Sequence, residues 1–326
     1  MTRIKGTHSG ESISLGLLPP FVAVFLLAFS LGCGSTMGIG NTLTNGTGST
    51  GAVPQFSHVV IVMEENTSYP EVIGSSEMPY FNSLANKYSL ATKYYGNTHP
   101  SIGNYFMLTT GKIETNDDGF SGTISDDNLA RQFAKDGKTW KAYAESIPSA
   151  GYLGGDSGAY LKHHMPFAYF SDVTGNSMQA ANIVPFPNFS SDLAVGNLPN
   201  FSFVVPNARH DAHDCPGGGQ LCQQSDKLAT ADTWLQSNIG SLIGSSSFSD
   251  TLLVIVFDEG DMTDLTNGGG HVAAVVVSPK AKMAYQGSGQ YQHENLERLI
   301  GDALRLSSVP GAGASSGTMG EFIAQP

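Results

Sequence analysis

The chain carries four short apolar runs that are rich in Val and Ile. Near-continuous runs of this kind are typical of strands that a sheet buries on both faces. We therefore predict buried strands over residues 58–63, 201–205, 252–257 and 272–277. Helical periodicity lies between them, and it predicts helices over residues 80–88, 101–110, 128–136, 225–239 and 294–306.

This alternation of strands and helices predicts an α/β domain, a three-layer α/β/α sandwich around a mostly parallel central sheet. The span 112–200 contains few strand signals. We interpret it as an excursion that covers one edge of the sheet and shapes a pocket there. Because ligands of parallel sheets bind beyond the carboxyl ends of the strands, the residues that follow each predicted strand are the first candidates for a site.

Ser101 stands where a polar loop broken by Gly and Pro meets the apolar helical pattern of residues 102–110. A serine at the first turn of a helix meets free backbone N–H groups and the positive end of the helix dipole, which favour an anion. Its hydroxyl could attack phosphorus while those N–H groups hold the phosphoryl oxygens. The alternative is structural, since capping a helix is the commonest role of serine at this position.

Polar clusters follow three of the predicted strands, and a histidine opens the fourth. The residues are Glu65 and Asn66, then His210 and His213, then Asp258 and Glu259, and finally His271 behind three glycines. Any one cluster could be a solvated loop, but three at one sheet edge together with Ser101 predict a site for one divalent metal ion. Carboxylate and amide oxygens suit Mg, Ca or Mn, whereas imidazole ligands would suit Zn.

The first 33 residues are similar to an export signal. Arg3 and Lys5 precede an apolar run over residues 21–31 that is too short to span a bilayer. Cys33 closes a segment similar to a bacterial lipoprotein cleavage site, although Ser30 stands where Leu is usual. A lipid on Cys33 would give membrane contact; an ordinary cleaved signal and an uncleaved anchor are the alternatives. Residues 34–55 are Gly-, Ser- and Thr-rich and predict a flexible linker before a folded domain over 56–326.

The net charge limits the classes of partner that the protein can bind, and the cysteines indicate the cellular compartment in which it works. The 326 residues carry a formal net charge of −12, which argues against nucleic acid because its phosphates need a basic footprint. Phosphate substrates stay compatible with this charge, since a metal ion can supply local positive charge. Cys215 and Cys222 enclose a short Gly-rich loop and predict a disulfide in an exported chain, with a zinc pair as the alternative.

Together these motifs resemble the bacterial phosphoesterase family, which includes secreted acid phosphatases and phosphatidylcholine-type phospholipases C. The segments that carry the resemblance are residues 59–66, 99–101, 104–105, 110–111, 258–259 and 271–272, within a similar span of about 55–324. The short length and the His-Pro-Ser loop are more similar to the acid phosphatase branch. The resemblance implies the alkaline-phosphatase-like fold of the superfamily that contains this family.

By position, the resemblance implies that Ser101 is the nucleophile that takes the phosphoryl group. It implies a metal shell of Glu65, Asn66, Ser101, Asp258 and Glu259, and a phosphate pocket lined by His99, His164, His210 or His213, and His271. The chain departs from the common pattern at residues 163–165 and 209–214, so that His163 and His164 both stay candidates, as do His210 and His213. His293 is predicted to be a surface or capping residue.

The predicted function is a metal-dependent phosphomonoesterase of the acid phosphatase type, exported to the cell envelope or secreted, that acts through a phosphoserine intermediate. Its substrates would be small phosphate esters or phosphoinositides. One alternative is a phospholipase C that cleaves phospholipid diesters. Another is a non-catalytic, lipid-tethered protein that binds phosphate ligands, although the presence of Ser101 and of all the acidic ligands argues against it.

Overall fold

The computed structural model describes residues 52–219 and 221–324. The predictions for the export signal, for Cys33 and for most of the linker concern residues outside these ranges. Val53, within the predicted linker, is buried in the core, and its carbonyl accepts a hydrogen bond from Arg305 Nη2 at 2.8 Å. Val53 therefore packs against the domain whose start is predicted at residue 56.

One eight-stranded sheet forms the centre of the domain. Its strands are β1 (His58–Glu64), β2 (Ser89–Tyr95), β3 (Trp140–Ala144), β4 (Ile183–Pro185), β5 (Phe201–Val205), β6 (Thr251–Phe257), β7 (His271–Val277) and β8 (Tyr285–Gly287). They lie in the order β4-β3-β5-β1-β6-β7-β2-β8. Every neighbouring pair is parallel except the two pairs that β7 makes with β6 and β2, so the sheet is mostly parallel, as predicted.

The helices connect these strands. They are α1 (Tyr69–Val72), α2 (Pro79–Lys87), α3 (Ile102–Thr110), α4 (Leu129–Lys135), α5 (Ser171–Thr174), α6 (Ser177–Ala180), α7 (Pro187–Ala194), α8 (Gln224–Asn238), α9 (Gly240–Ile243) and α10 (His293–Leu304). Short 3₁₀ segments cover Lys162–His164, Pro166–Tyr169, Ser246–Asp250, Gly311–Ala314 and Gly320–Phe322. The five predicted helices are α2, α3, α4, α8 and α10, each within two residues of its predicted ends.

Helices cover both faces of the sheet. The ring of Tyr105 in α3 lies 6.1 Å from that of Phe203 in β5, and the ring of Phe81 in α2 lies 5.9 Å from that of Phe257 in β6. The strand register places Phe203 level with Val254, three residues before Phe257. Because successive strand residues point to opposite faces, α3 and α2 lie on opposite sides of the sheet. This arrangement is the predicted α/β/α sandwich.

Four strands were not predicted, and two of them correct the interpretation of the span 112–200. β3 and β4 lie in that span and extend the sheet beyond β5. Part of the span therefore belongs to the sheet itself and is not an excursion that only covers its edge. β4 and β8 have three residues each, too few to form an apolar run. β2 carries Thr92 and Lys93, which are not buried, so that its apolar pattern is broken. The prediction succeeded only for strands buried along nearly their whole length.

Cys215 and Cys222 form a disulfide, with their Cα atoms 5.7 Å apart. The prediction of a disulfide is confirmed, and the zinc alternative is wrong. The bridge closes part of the segment that follows β5, at the edge of the sheet where the predicted site residues lie. Among the described helices, none has both the length and the apolar character that spanning a bilayer requires.

Candidate active site

The carboxyl ends of β1, β5, β6 and β2 meet at one edge of the sheet, and antiparallel β7 begins at the same edge. Gly96 follows β2 and opens the loop to Ser101. A Cβ on Gly96 would lie 2.7 Å from the carbonyl oxygen of Gly269 and 2.8 Å from that of Asp258. Only glycine fits this close approach, and the glycine run before His271 therefore docks the Ser101 loop beside the end of β6.

Ser101 occupies the N-cap position of α3, yet its side chain caps no backbone N–H. Its backbone is already helical, with φ −48° and ψ −48°, whereas a capping serine needs an extended backbone. The Oγ donates a hydrogen bond to Glu65 Oε2 at 3.0 Å instead. The structural alternative for the hydroxyl is therefore wrong, since the buried Ser101 side chain is directed at an acid from β1 rather than at its own helix.

Two further residues of α3 share the face of Ser101, because residues three and four apart are neighbours on a helix. Asn104 Nδ2 donates to Glu259 Oε2 at 3.1 Å, and its Oδ1 accepts from the backbone N–H of Asn97 at 2.7 Å. The Tyr105 hydroxyl donates to Glu65 Oε1. The first turn of α3 is thus tied to an acid at the end of β1 and to another at the end of β6.

The predicted metal ligands are joined to each other through the backbone. Asp258 Oδ1 accepts the N–H groups of Asn66 at 3.0 Å and of Glu259 at 2.6 Å. Asn66 has a φ of 47°, a left-handed conformation that Asn tolerates better than most residues. Its Nδ2 donates to Glu65 Oε2 at 3.3 Å. The structure therefore brings together all five residues of the predicted shell, including Ser101.

These acids lie in surroundings that disfavour their charged form. Burial raises the pKa of Glu65 well above its ordinary value, and the charges of Asp258 and Asp211 add to this effect. Burial raises the pKa of Asp258 to about 7. It raises the pKa of Glu259 to about 10, with a further contribution from the charge of Asp258. Several buried carboxylates so close together call for a compensating positive charge.

The donor set fits a hard divalent cation. Asp258 Oδ2 and Asn66 Oδ1 are buried and accept no hydrogen bond, and the other members of the proposed shell also offer oxygens, the ligands that Mg²⁺ and Ca²⁺ prefer. Within residues 52–219 and 221–324, no three His, Cys, Asp or Glu side chains already stand around a metal position. The three acids of the shell implied by the sequence, Glu65, Asp258 and Glu259, therefore do not by themselves form such a cluster in this structure.

A cavity of about 400 Å³ opens at Ser101. Asn66 and Glu259 line it together with His163, His164 and His213. His164 is buried, its ring stacks on that of Tyr105 with centroids 5.2 Å apart, and its Nε2 lies 3.4 Å from Glu65 Oε1. Burial lowers the pKa of His164 well below its ordinary value. The structure brings both His163 and His164 to the cavity.

Of the two histidines that follow β5, only His213 lines this cavity. The Nδ1 of His210 lies 2.9 Å from both oxygens of Glu145, and its ring borders a separate groove beside Trp234 of α8. The two side chains diverge because the intervening chain is an irregular turn in which Ala212 has a φ of 75°. Between His210 and His213, the geometry therefore favours His213.

Neither His99 nor His271 lines the cavity. His99 Nδ1 lies 3.2 Å from Glu259 Oε2, and its Nε2 donates to the carbonyl of Asp264 at 2.9 Å. The His271 ring stacks on Tyr69 with centroids 4.3 Å apart, and its Nε2 donates to the carbonyl of Thr92 at 3.0 Å. The structure therefore places His271 in a packed layer outside the cavity, unlike the expected phosphate-pocket role.

Two buried residues that were not predicted as site residues support the predicted ligands. Asp211 is fully buried, its carbonyl accepts the N–H of Glu65 at 2.8 Å, and burial raises the pKa of its carboxyl. His293 is also fully buried, and its Nε2 donates to the carbonyl of Asp258 at 2.6 Å. Burial lowers the pKa of His293 to about 4. The prediction of a surface position for His293 is wrong, although the residue does begin α10.

The model of the Phosphoesterase family matches residues 75–307, and the chain belongs to this family. A phosphatidylinositol-3-phosphatase from Mycobacterium tuberculosis is 32% identical over 213 residues, which are 64% of this chain and 66% of the relative. A probable acid phosphatase from Kluyveromyces lactis is 28% identical over 222 residues, 65% of this chain and 49% of the relative. The chain thus spans just under two thirds of the first relative and about half of the second.

Solved structures show the same fold at low sequence identity. The lipoteichoic acid synthase LtaP from Listeria monocytogenes has a TM-score of 0.57 at 10% identity, covering 83% of this chain and 76% of its own. A protein of the alkaline phosphatase superfamily from Vibrio parahaemolyticus has a TM-score of 0.56 at 15% identity, covering 78% and 67%. The predicted alkaline-phosphatase-like fold is therefore confirmed.

Proposed function

We propose that this protein is a metal-dependent phosphomonoesterase that acts through a phosphoserine at Ser101. The observation that carries the proposal is the hydrogen bond from Ser101 Oγ to Glu65 Oε2. It directs a hydroxyl at a helix N-terminus toward buried acids instead of toward the helix, in a cavity that three histidines line. The names of the relatives, a phosphatidylinositol-3-phosphatase and a probable acid phosphatase, support the same chemistry.

Glu65, Asn66, Asp258 and Glu259, together with Ser101 Oγ, would hold one divalent cation. When bound, the cation would supply positive charge that favours the ionised Ser101 oxygen and balances the charge of the phosphoryl group. The oxygen donors favour Mg, Ca or Mn over Zn. Side chains of this protein would supply the nucleophile and the proton transfers that the reaction also needs.

In the first step Ser101 Oγ attacks phosphorus, so that the Oγ–P bond forms and the bond from phosphorus to the alcohol oxygen breaks. The Oγ proton leaves along the hydrogen bond to Glu65 Oε2. His213, whose side chain is 46% exposed, is placed to give a proton to the leaving alcohol. In the second step water attacks the phosphoserine and gives one proton to His213, the Oγ–P bond breaks, phosphate leaves, and Ser101 takes its proton back from Glu65.

We further propose that the enzyme works at the cell envelope. The disulfide between Cys215 and Cys222 supports export, because such bonds persist in oxidising compartments. The export-like pattern of residues 1–33 supports the same location, with a lipid on Cys33 as the proposed membrane contact. The substrates would then be phosphate esters that reach this compartment, either small molecules or phosphoinositides.

The test compares p-nitrophenyl phosphate with p-nitrophenyl phosphorylcholine and a short-chain phosphatidylinositol 3-phosphate, with Mg, Mn, Ca or Zn. We expect monoester turnover in wild type, background turnover in Ser101→Ala, and wild-type turnover in Ser83→Ala, which changes an exposed serine of α2. Faster hydrolysis of the diester would replace the proposal with a phospholipase C. Binding of phosphate without turnover, with any of these ions, would replace it with the non-catalytic binding protein.

A further inference from the structure

The cavity at Ser101 has an acidic mouth. Asp118 and Asp214 line the cavity and are accessible to solvent, whereas Glu259 lines it and is buried. The described residues contribute no Lys or Arg to this lining. Phosphate groups are usually bound by Arg or Lys side chains, whose charge neutralises them. A bound cation would compensate a single phosphoryl group at the buried acids, but it would leave the mouth of the cavity negative. The lining therefore opposes a second anionic group on the same ligand.

One of these acids, Asp118, is hydrogen-bonded to the N-terminus of α3, the helix that Ser101 precedes. Its Oδ1 accepts a hydrogen bond from the backbone N–H of Ile102 at 3.1 Å. Ile102 directly follows Ser101, and N–H groups at a helix N-terminus are a common place for a phosphoryl oxygen to bind. The Asp118 carboxylate occupies this N–H group and is thereby fixed beside the first turn of α3, within the lining of the cavity.

The loop that carries Asp118 is held in place by local contacts. Asp117 Oδ1 accepts the N–H of Gly119 at 3.0 Å, and the ring of Phe120 stacks on that of Tyr169 with centroids 5.8 Å apart. The loop also packs closely on α3, since a Cβ on Gly103 would lie 2.4 Å from Asn116 Oδ1. These contacts give the Asp118 charge a defined position beside the cavity.

We propose that Asp118 is a specificity-determining residue, which selects esters that carry one phosphate on an uncharged alcohol and rejects esters with a second phosphate. Of the two substrate classes proposed above, it therefore favours small phosphomonoesters over phosphoinositides, whose diester phosphate is a second anion. This inference rests on the proposed function, because it assigns a substrate class to the same cavity. A second phosphate would have to occupy the mouth of the cavity, where repulsion by Asp118 is only partly screened by water. We expect discrimination of about tenfold, which corresponds to about 1.4 kcal/mol.

The experiment compares Asp118→Asn with Asp117→Asn, which removes the same charge from the adjacent, exposed residue. The first measurement is the ratio of kcat/KM for fructose 1,6-bisphosphate to kcat/KM for fructose 6-phosphate. The second is the ratio of the affinities for pyrophosphate and phosphate, measured by calorimetry on the metal-loaded full chain. We expect Asp118→Asn to raise both ratios about tenfold, and Asp117→Asn to leave both within about twofold of wild type. Added salt should reduce the effect of Asp118→Asn, as screening requires.

Equal shifts in the two variants would overturn the inference, because general charge would then explain them. Unchanged ratios in Asp118→Asn would also overturn it. If Asp118→Asn loses turnover, the ratio of pyrophosphate to phosphate affinity still tests the inference, because calorimetry needs no catalysis. An unchanged ratio would overturn it. If wild type turns over neither sugar phosphate nor p-nitrophenyl phosphate, the proposed function fails, while the ratio of pyrophosphate to phosphate affinity still tests Asp118.

Discussion

Tyr105 and Glu65 lie 40 positions apart in the sequence, and the Tyr105 hydroxyl donates a hydrogen bond to Glu65 Oε1. The other oxygen of the same carboxylate accepts the hydrogen bond from Ser101 Oγ. One carboxylate directly after β1 is therefore held by the N-cap residue of α3 and by a residue of its first turn. This arrangement fixes the orientation of Glu65 toward both the proposed nucleophile and the proposed metal site.

Tyr105→Phe should lower kcat by about 10- to 100-fold, because leaving a buried acceptor without its donor costs about 1–3 kcal/mol. The measurement is steady-state turnover of p-nitrophenyl phosphate at saturating metal. Tyr152→Phe serves as a control, since its hydroxyl donates only to the carbonyl of Gly155 at an exposed position. If kcat of Tyr105→Phe stays within about twofold of wild type, Tyr105 does not position Glu65 for catalysis.

Removal of divalent metal should abolish turnover and lower the thermal unfolding midpoint. Both effects have one cause, since the buried carboxylates of Glu65, Asp258 and Glu259 would lose the charge that balances them. Dialysis against EDTA, followed by return of Mg, Mn or Ca, should restore both properties in wild type but not in Glu259→Gln. Full activity in a sample without detectable metal would contradict the proposed chemistry.

The pH dependence of turnover should depend on His213. Burial lowers the pKa of His213, the charge of Lys227 and the proximity of His163 lower it further, and the charges of Asp214 and Asp118 partly oppose this. The imidazolium is present only below this pKa, so activity that needs it falls as pH rises and is confined to the acid side. His213→Gln should lower kcat for glycerol 2-phosphate about 10²-fold and remove this limb of the profile.

Two comparisons separate this role of His213 from a structural one. His210→Gln changes the neighbouring imidazole outside the cavity and should keep the wild-type profile. Turnover of p-nitrophenyl phosphate by His213→Gln should fall much less than turnover of glycerol 2-phosphate, because p-nitrophenolate leaves without a proton. Equal losses on the two substrates would show that His213 does not protonate the leaving group.

Glu297 in α10 makes stability depend on pH. Its carboxyl is fully buried, and burial raises its pKa well above the ordinary value. In the unfolded chain the same carboxyl ionises near its ordinary pKa, so the unfolded state releases its proton first and wild-type stability falls as pH rises. Glu297→Gln should remove a slope of up to about 1.4 kcal/mol per pH unit.

Urea unfolding at pH 5, 6 and 7 measures this slope, and the stability of Glu297→Gln relative to wild type should increase at each step. Glu77→Gln, in the loop before α2, provides a matched control with the same loss of a carboxyl group. It should keep the wild-type dependence on pH. A constant difference between Glu297→Gln and wild type at all three pH values would contradict the buried neutral acid.

The parts of the fold that could be predicted are those whose cause is local in the sequence. β1, β5, β6 and β7 are buried almost throughout, so their sequences are nearly unbroken apolar runs. β2 is different because Lys93 is exposed and Thr92 is only partly buried, and only its pairing with β7 and β8 reveals it as a strand. Yet β2 is the strand that delivers Ser101 to the site.

The site residues also fall into two groups, those that the sequence predicts and those that depend on how loops pack. Glu65, Asp258 and Ser101 could be predicted because each follows the end of a strand or begins a helix, and chain topology then brings these positions together. The separation of His210 from His213 could not be predicted, because an irregular turn decides which side chain enters the cavity. The contact of Asp118 with Ile102 depends on how a loop packs against α3, which no periodicity in the sequence encodes.

The most direct test of the central claim is to trap the phosphorylated enzyme. Metal-loaded protein is mixed with p-nitrophenyl phosphate, quenched in acid within the first turnovers, digested and analysed by mass spectrometry. The proposed mechanism predicts a phosphate on Ser101 that appears with substrate, is lost as the substrate is exhausted, and is absent from Ser101→Ala. Continued turnover by Ser101→Ala, or a trapped phosphate on a residue other than Ser101, would contradict it.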